Sequence, residues 1–272
     1  MVIGKKEFDT NNHTYIMGIL NVTPDSFSDG GRYLSADAAL RHAQEMIDDG
    51  ADILDVGGES TRPGHTQITE EEEIERTAPV IEKLKQEFDI PISIDTYKSS
   101  VARAALQAGA SLVNDIWGLK FDSSMAGLIA DYGAACCLMH NRKEPVYQDF
   151  LNDFMEDMRE CIRIAKDAGI KDEKMLLDPG VGFGKTYEMN LEIIQQVGRM
   201  QKLGYPVLLG TSRKSVIGLT LDLPADQREE GTLATTVYGM MNGCSFVRVH
   251  DVKANRRAIQ MTEAIMGRSI YG

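Results

Sequence analysis

Asp49-Gly50-Ala51-Asp52-Ile53-Leu54-Asp55-Val56 reads as the end of a helix, a stop and a short apolar run, and its recurrence along the 272-residue chain decides the fold. Glycine closes a helix in the left-handed conformation without steric cost, so each such phrase predicts helix, stop, strand. The phrase returns at Gly109 before Leu112-Val113-Asn114, at Gly133 before Ala135 to Met139, and at Gly169 before Met175-Leu176-Leu177. It returns again at Gly204 before Pro206 to Leu209, and at Gly243 before Ser245 to Val249. A seventh transition uses proline: Phe88-Asp89-Ile90-Pro91 breaks a helix ahead of Ile92-Ser93-Ile94. With an opening strand at Ile16 to Leu20, eight strands are predicted.

These runs are apolar on both faces, as parallel strands are when helices cover them. The segments between are amphipathic: Phe150, Phe154, Met158, Cys161, Ile162 and Ala165 recur at helical steps, with Asp153, Glu156, Asp157 and Arg163 opposite. The chain is therefore expected to be α/β, a single (β/α)8 or TIM barrel over residues 1–272. The open doubly wound sheet is the alternative, but its G-x-G-x-x-G fingerprint is absent. Residues before Tyr15, turning at Asn11-Asn12, are expected to form a short hairpin plugging the barrel bottom. Thr69-Glu70-Glu71-Glu72 reads as a capping box, and its acidic run is assigned no function.

Asp plus Glu number 41 against 29 Lys plus Arg, a formal net charge of −12 that argues against nucleic acid as a partner. With 43% hydrophobic and 26% charged residues the composition is that of a soluble globular protein. No stretch approaches the roughly 18 apolar residues of a membrane span, and the N-terminal residues lack a signal-peptide apolar core. Cys136, Cys137, Cys161 and Cys244 form no C-x-x-C pair, which suits buried thiols in a reducing cytoplasm.

In such barrels the chemistry sits at the C-terminal strand ends. In order these carry Asn21; Asp55 and Glu59; Asp95; Asn114 and Asp115; His140; Asp178; Thr211, Ser212, Arg213 and Lys214; and Arg248 and His250. A helix cap or turn explains Thr96, Ser99 and Asp251 equally well, but not Lys214, Arg248 and His250. Carboxylates and an amide, Asp95, Asn114 and Asp178, suit a flat heterocycle bearing N–H donors. Arg62, Lys214, Arg248 and His250 suit an anion, and barrels commonly bind phosphate after strands seven and eight. A nitrogen heterocycle with a phosphate group is the expected ligand. The acidic excess is expected on helix surfaces such as Glu70 to Glu73, with Arg62, Lys185, Lys214, Arg248 and His250 gathered on one face.

Gly180 to Thr186 resembles a P-loop, but Pro179 stands where the pattern needs glycine, so it is kept only as a close-approach loop after Asp178. His13, His42 and His65 lie at no zinc-ligand spacing. Magnesium shared with substrate phosphate leaves little sequence trace and stays open. Asn21 to Gly31 and Gly57 to Gly64 are longer than βα loops need to be, and both are expected to cover the site as lids.

The runs Gly18-Ile19-Leu20-Asn21-Val22-Thr23-Pro24-Asp25-Ser26-Phe27-Ser28-Asp29-Gly30-Gly31 and Gly57-Gly58-Glu59-Ser60-Thr61-Arg62-Pro63-Gly64 resemble the two signature loops of bacterial dihydropteroate synthases. The resemblance continues through Ser93-Ile94-Asp95-Thr96, Val113-Asn114-Asp115, Asp178 to Lys185, Thr211 to Ser215 and Arg248 to Asp251, and so covers nearly the whole chain. It implies condensation of 6-hydroxymethyl-7,8-dihydropterin pyrophosphate with p-aminobenzoate, giving 7,8-dihydropteroate and pyrophosphate in folate synthesis.

By that resemblance Asp95, Lys214, Arg248, Asp29 and Phe27 act in catalysis. Asp95, Asn114, Asp178, Lys214, Arg248, Met139, Ile116, Gly210 and Phe183 hold the pterin. Asn21, Arg62, Arg248 and His250 hold the pyrophosphate, with Asn21 on a magnesium ion. Phe27, Ser60, Thr61, Arg62, Pro63, Phe183, Lys214 and Ser215 enclose p-aminobenzoate, which in the family is also the sulfonamide pocket. Pyrophosphate departing from a dihydropterin methylene leaves a stabilised cation, so an SN1-like step is expected, with cations and Mg2+ on the leaving group and Asp95 opposing the positive ring. A homodimer is usual in the family, and Met240-Met241 is read as core before interface. A methyltetrahydrofolate-corrinoid methyltransferase has no use for the loop pair, and a non-catalytic pterin-binding paralogue is the other alternative.

Overall fold

The computed structural model describes residues 1–22, 32–59 and 67–268, with side chains of the first helix described from residue 37 onward. A two-stranded antiparallel hairpin, β1 (Val2–Ile3) and β2 (Lys6–Glu7), precedes the barrel. Then follow β3 (Tyr15–Asn21), α1 (Arg32–Asp48), β4 (Ile53–Gly57), α2 (Glu70–Glu87), β5 (Ile92–Asp95), α3 (Ser99–Ala108), β6 (Leu112–Asp115), α4 (Met125–Tyr132) and β7 (Ala135–Met139). The second half is α5 (Phe150–Asp167), β8 (Met175–Asp178), α6 (Tyr187–Gln195), β9 (Leu208–Leu209), α7 (Ser215–Leu221), α8 (Glu229–Met241), β10 (Phe246–Val249) and α9 (Val252–Ile265).

Eight parallel strands run in the order β8-β7-β6-β5-β4-β3-β10-β9. The ring closes where Leu177 bridges Val207 and its N–H donates to Pro206 O at 3.0 Å. All eight predicted strands are therefore present, joined as a (β/α)8 barrel. The seventh is shorter than the expected Pro206 to Leu209, because Pro206 has no N–H for the ladder. Two helices, not one, separate β9 from β10. The helix stops behave as expected: Gly109 (φ 118°) and Gly133 (φ 59°) close α3 and α4 in the left-handed conformation. Thr69 accepts from Glu72 N at 3.2 Å to start α2, a cap worth about 1 kcal/mol.

Side chains alternate across each strand, and this parity sorts the core into two bodies. Ile16, Leu20, Leu54, Val56, Ile92, Ile94, Val113, Leu138, Leu177 and Val247 face the helices. Met17, Ile53, Leu112, Ala135, Cys137, Leu176, Leu208 and Phe246 fill the lower lumen together with Ile3 and Phe8 of the hairpin. The expected plug is present, with Phe8 edge-on to Tyr15 at 4.8 Å and 5.5 Å from Phe246. Its hairpin turn is at Gly4-Lys5 and not at Asn11-Asn12, which form a second turn held by Asp9. All four cysteines are buried and free.

The expectation for the acidic run of α2 is overturned at one residue. Glu73 is not a solvated helix charge: it is buried, and its carboxylate takes Lys98 Nζ at 2.7 Å. The same ammonium donates to Glu59 at 2.6 Å and to Ile68 O at 2.9 Å, and Tyr97 OH donates to Glu59 at 2.8 Å. Burial raises the Glu73 carboxyl despite Lys98. Burial opposes the Lys98 charge, yet Glu59 and Glu73 hold it above the usual lysine range.

Candidate active site

The parity that puts Ile53, Leu112, Leu176, Leu208 and Phe246 in the lumen puts the residues two steps further on into the same lumen, one layer up. Those residues are Asp55, Asn114, Asp178, Gly210 and Arg248, with Asp95 two steps beyond lumen-facing Ser93. A polar layer thus sits directly on the apolar plug, at the C-terminal rim.

Arg248 lies across its centre. Its Nε donates to Asp55 at 2.6 Å and its Nη2 to Asp95 at 2.7 Å, while Asn114 Nδ2 donates to the same Asp55 oxygen at 3.2 Å. Burial works against the Arg248 charge, but Asp55 and Asp95 hold it above the ordinary arginine range. Burial, with Asp55 as a like-charged neighbour, pushes the Asp95 carboxyl up to about 7 against the pull of Arg248. Among the described residues Asp95 Oδ1 and Asp55 Oδ1 are buried without a hydrogen-bond partner. A buried acceptor left unpaired is costly, so Asp95 Oδ1 is a ready handle for a ligand N–H.

Opposite stands Asp178, whose Oδ1 is taken by Gly180 N at 2.6 Å. Burial raises its carboxyl and Lys214 opposes the rise. Burial pushes the Lys214 amine down to about 8, and Asp178 opposes that fall. Lys214 donates to Val181 O at 2.6 Å and stands 4.9 Å from the Phe183 ring centroid. Gly210 keeps the space between them open: a Cβ there would lie 3.4 Å from Asp178 Oδ2 and 3.7 Å from Lys214 Nζ. Ile116 and Met139 form an apolar wall with Tyr97, against which Phe183 and Trp117 pack. This arrangement offers a flat ring apolar contact on its face and charged acceptors and donors at its edges.

Asn21 ends β3 at the rim with an exposed side chain. Ser215 is exposed at the start of α7, and His250 Nδ1 pairs with Ser212 Oγ at 2.9 Å. Phe27, Asp29, Ser60, Thr61, Arg62 and Pro63 lie outside the described residues. Several strand-end residues are structural instead. Asp115 accepts from Trp117 N at 2.8 Å and Leu119 N at 2.9 Å. Arg213 is held by Asp251 at 2.6 Å, and Thr211 pairs with Thr235 at 2.7 Å. Lys185 does not join the cationic face: its Nζ turns beneath the loop, 2.8 Å from His140 Nδ1.

Asp55 is the residue that strand-end reading undervalued. It lies inside an apolar run, yet its position two steps after Ile53 marks it as lumen-facing, and it anchors both Arg248 and Asn114.

Residues 17–250 match the family described as pterin binding enzyme. A dihydropteroate synthase of Clostridium beijerinckii is 60% identical over 269 residues, 98% of this chain and 100% of that one. The solved dihydropteroate synthase of Clostridium difficile, in the presence of pteroic acid, superposes with a TM-score of 0.94 at 53% identity, covering 97% and 100% of the two chains. That of Xanthomonas albilineans with 4-aminobenzoic acid does so with a TM-score of 0.89 at 41% identity over 94% of each.

Proposed function

Because the chain belongs to the pterin-binding enzyme family, we propose that it condenses 6-hydroxymethyl-7,8-dihydropterin pyrophosphate with p-aminobenzoate, the dihydropteroate synthase reaction. The observation that carries this reading is the rim layer in which Asp178 and Lys214 flank Gly210 while Asp95, paired with Arg248, keeps Oδ1 buried without a partner among the described residues. An ionised carboxylate accepts two hydrogen bonds from an amidine-like edge, so Asp178 takes the pterin 2-amino and ring N–H, while Asp95 Oδ1 takes a further N–H. Ile116, Met139 and Phe183 cover the ring faces.

Loss of pyrophosphate leaves positive charge on the pterin methylene. Asp95, braced by Arg248, stabilises that charge from a fixed position, and Arg248, His250 and Arg62 stabilise the departing anion. The aromatic amine is neutral at pH 7 and attacks without a strong base. Phe27, Ser60, Thr61, Arg62 and Pro63, with Phe183, Lys214 and Ser215, enclose p-aminobenzoate and keep water from the cation.

Magnesium fits the donor set. Among the described residues no group of three or more His, Cys, Asp or Glu is placed to hold a metal, whereas Asn21 offers one hard neutral oxygen at the rim. That is the pattern of an ion bound through one side chain, water and substrate phosphate. When bound, it neutralises charge on the leaving group.

We assign a second copy of the chain to the surface of α6 and α8. Leu191, Ile194, Ala234 and Tyr238 line a groove there, and Met241 is 66% exposed beside fully buried Met240. Among the described residues no helix is long and apolar enough to cross a membrane, and the reduced, buried thiols suit the cytoplasm.

Supplying the pterin pyrophosphate, p-aminobenzoate and Mg2+ tests the reading. Pyrophosphate release with dihydropteroate is expected; retained pterin binding without release would leave a non-catalytic paralogue.

A further inference from the structure

Beside the candidate site lies a half-buried ionic cluster around fully buried His140 that the reaction above does not use. Lys185 Nζ has three acceptors around it: His140 Nδ1 at 2.8 Å, Gly180 O at 2.9 Å and Phe183 O at 3.0 Å. An ammonium has three N–H donors, so all are used. His140 is fully buried, and its Nε2 meets Asp157 Oδ2 at 3.0 Å, which makes the imidazole an acceptor toward Lys185 and a donor toward Asp157. Arg142 holds Asp157 from the other side, Nε to Oδ2 at 2.6 Å.

The segment 179–185 is wound around that ammonium. Tyr147 OH donates to Gly184 O at 2.7 Å, Lys214 takes Val181 O at 2.6 Å, and Asn190 Oδ1 receives Gly182 N at 2.6 Å. Two glycines let it press onto the chain after β7: a Cβ on Gly180 (φ 66°) would lie 1.9 Å from His140 O, and one on Gly184 (φ 54°) 2.4 Å from Arg142 O. The two carbonyls held by Lys185 belong to residues that shape the pocket. Gly180 holds Asp178 Oδ1 through its own N–H, and Phe183 supplies the ring beside Lys214.

We propose that Lys185, held by His140 and Asp157, is a positioning residue that fixes Asp178 and Phe183 in their ligand-binding geometry from outside the pocket. This rests on the assignment of a pterin to that pocket. Burial lowers the Lys185 amine to about 7, with Asp178 and Asp157 opposing and Lys214 and Arg142 reinforcing the fall. Burial, reinforced by Lys185, pushes the His140 imidazole down to about 4, so the proton stays on the lysine, which donates to the ring and to both carbonyls. Removal of that proton leaves two lone pairs facing each other.

The test is Lys185→Met, which keeps the side-chain length and removes the donors, alongside the wild type. Calorimetry with 7,8-dihydropteroate, steady-state kinetics and thermal melting are read together. The expected result is a ten- to hundredfold loss of dihydropteroate affinity and a matching rise in KM for the pterin pyrophosphate, with kcat changed less than threefold. Pterin affinity within twofold of wild type, or a loss of kcat with both KM values unchanged, would overturn the proposal. If Lys185→Met does not fold, His140→Leu removes the acceptor that orients the ammonium and is expected to weaken dihydropteroate binding at least fivefold; unchanged binding would overturn the proposal. A wild-type chain that binds no dihydropteroate would refute the pterin assignment itself and the clamp with it, whereas a wild type that binds and variants that bind equally refute the clamp alone.

Discussion

Arg248 Nη2 donates to Asp95 Oδ2 at 2.7 Å while the other Asp95 oxygen, buried, has no partner among the described residues. Half of the carboxylate is committed to holding itself still and half is presented to the pocket. The Asp95 carboxyl is raised to about 7, above the roughly 3.9 of an unfolded chain. Between these values the folded protein holds the proton that the unfolded chain has lost, so this group's contribution to stability falls as pH rises from about 4 to 7. Thermal melting of Asp95→Asn across that range should show a smaller decline than wild type. An identical decline would sink the assignment. For catalysis the sign is opposite: kcat/KM should climb through pH 7 as the carboxylate ionises.

Asp178→Asn removes a charge-assisted contact worth roughly 1.5–3 kcal/mol and should weaken pterin binding about ten- to hundredfold. Calorimetry showing unchanged affinity would contradict its place on the pterin edge.

Gly210→Ala adds a methyl 3.4 Å from Asp178 Oδ2, in the space reserved for the ring. Stability should hold or rise by about 0.4–1 kcal/mol, since alanine narrows the unfolded ensemble. KM for the pterin pyrophosphate should nevertheless rise more than tenfold; a normal KM would show that the ring lies elsewhere.

Lys98→Met leaves the buried Glu59 and Glu73 without their shared cation. Breaking such a buried pair costs roughly 3–5 kcal/mol, to be read from urea midpoints at pH 7. The deficit should shrink toward pH 5, because protonation relieves the stranded carboxylates. A deficit independent of pH would point to packing instead.

Met241→Glu places a charge on the exposed face of α8 beside Tyr238. Sedimentation should report a dimer for wild type and a monomer for the variant, with melting little changed. A dimer that persists in the variant would rule this face out.

The glycine-ended phrases determined the barrel without help from tertiary contacts, because helix stops, strand lengths and apolar patterning are local properties of the chain. They placed Asn114, Asp178 and Arg248 at strand ends, the Pro91 break did the same for Asp95, and that placement held. Which charges face the ligand and which brace the scaffold was not local. Asp55 and Arg248 are 193 residues apart and meet only when the ring closes, while Lys185 and His140, 45 apart, meet only because Gly180 and Gly184 let one loop settle on another. Glu73 and Lys185 read in sequence as a surface charge and a pocket cation. Glu73 is a buried structural ion and Lys185 a half-buried one, since the energy of a charge depends on what surrounds it, and only the closed barrel supplies those surroundings.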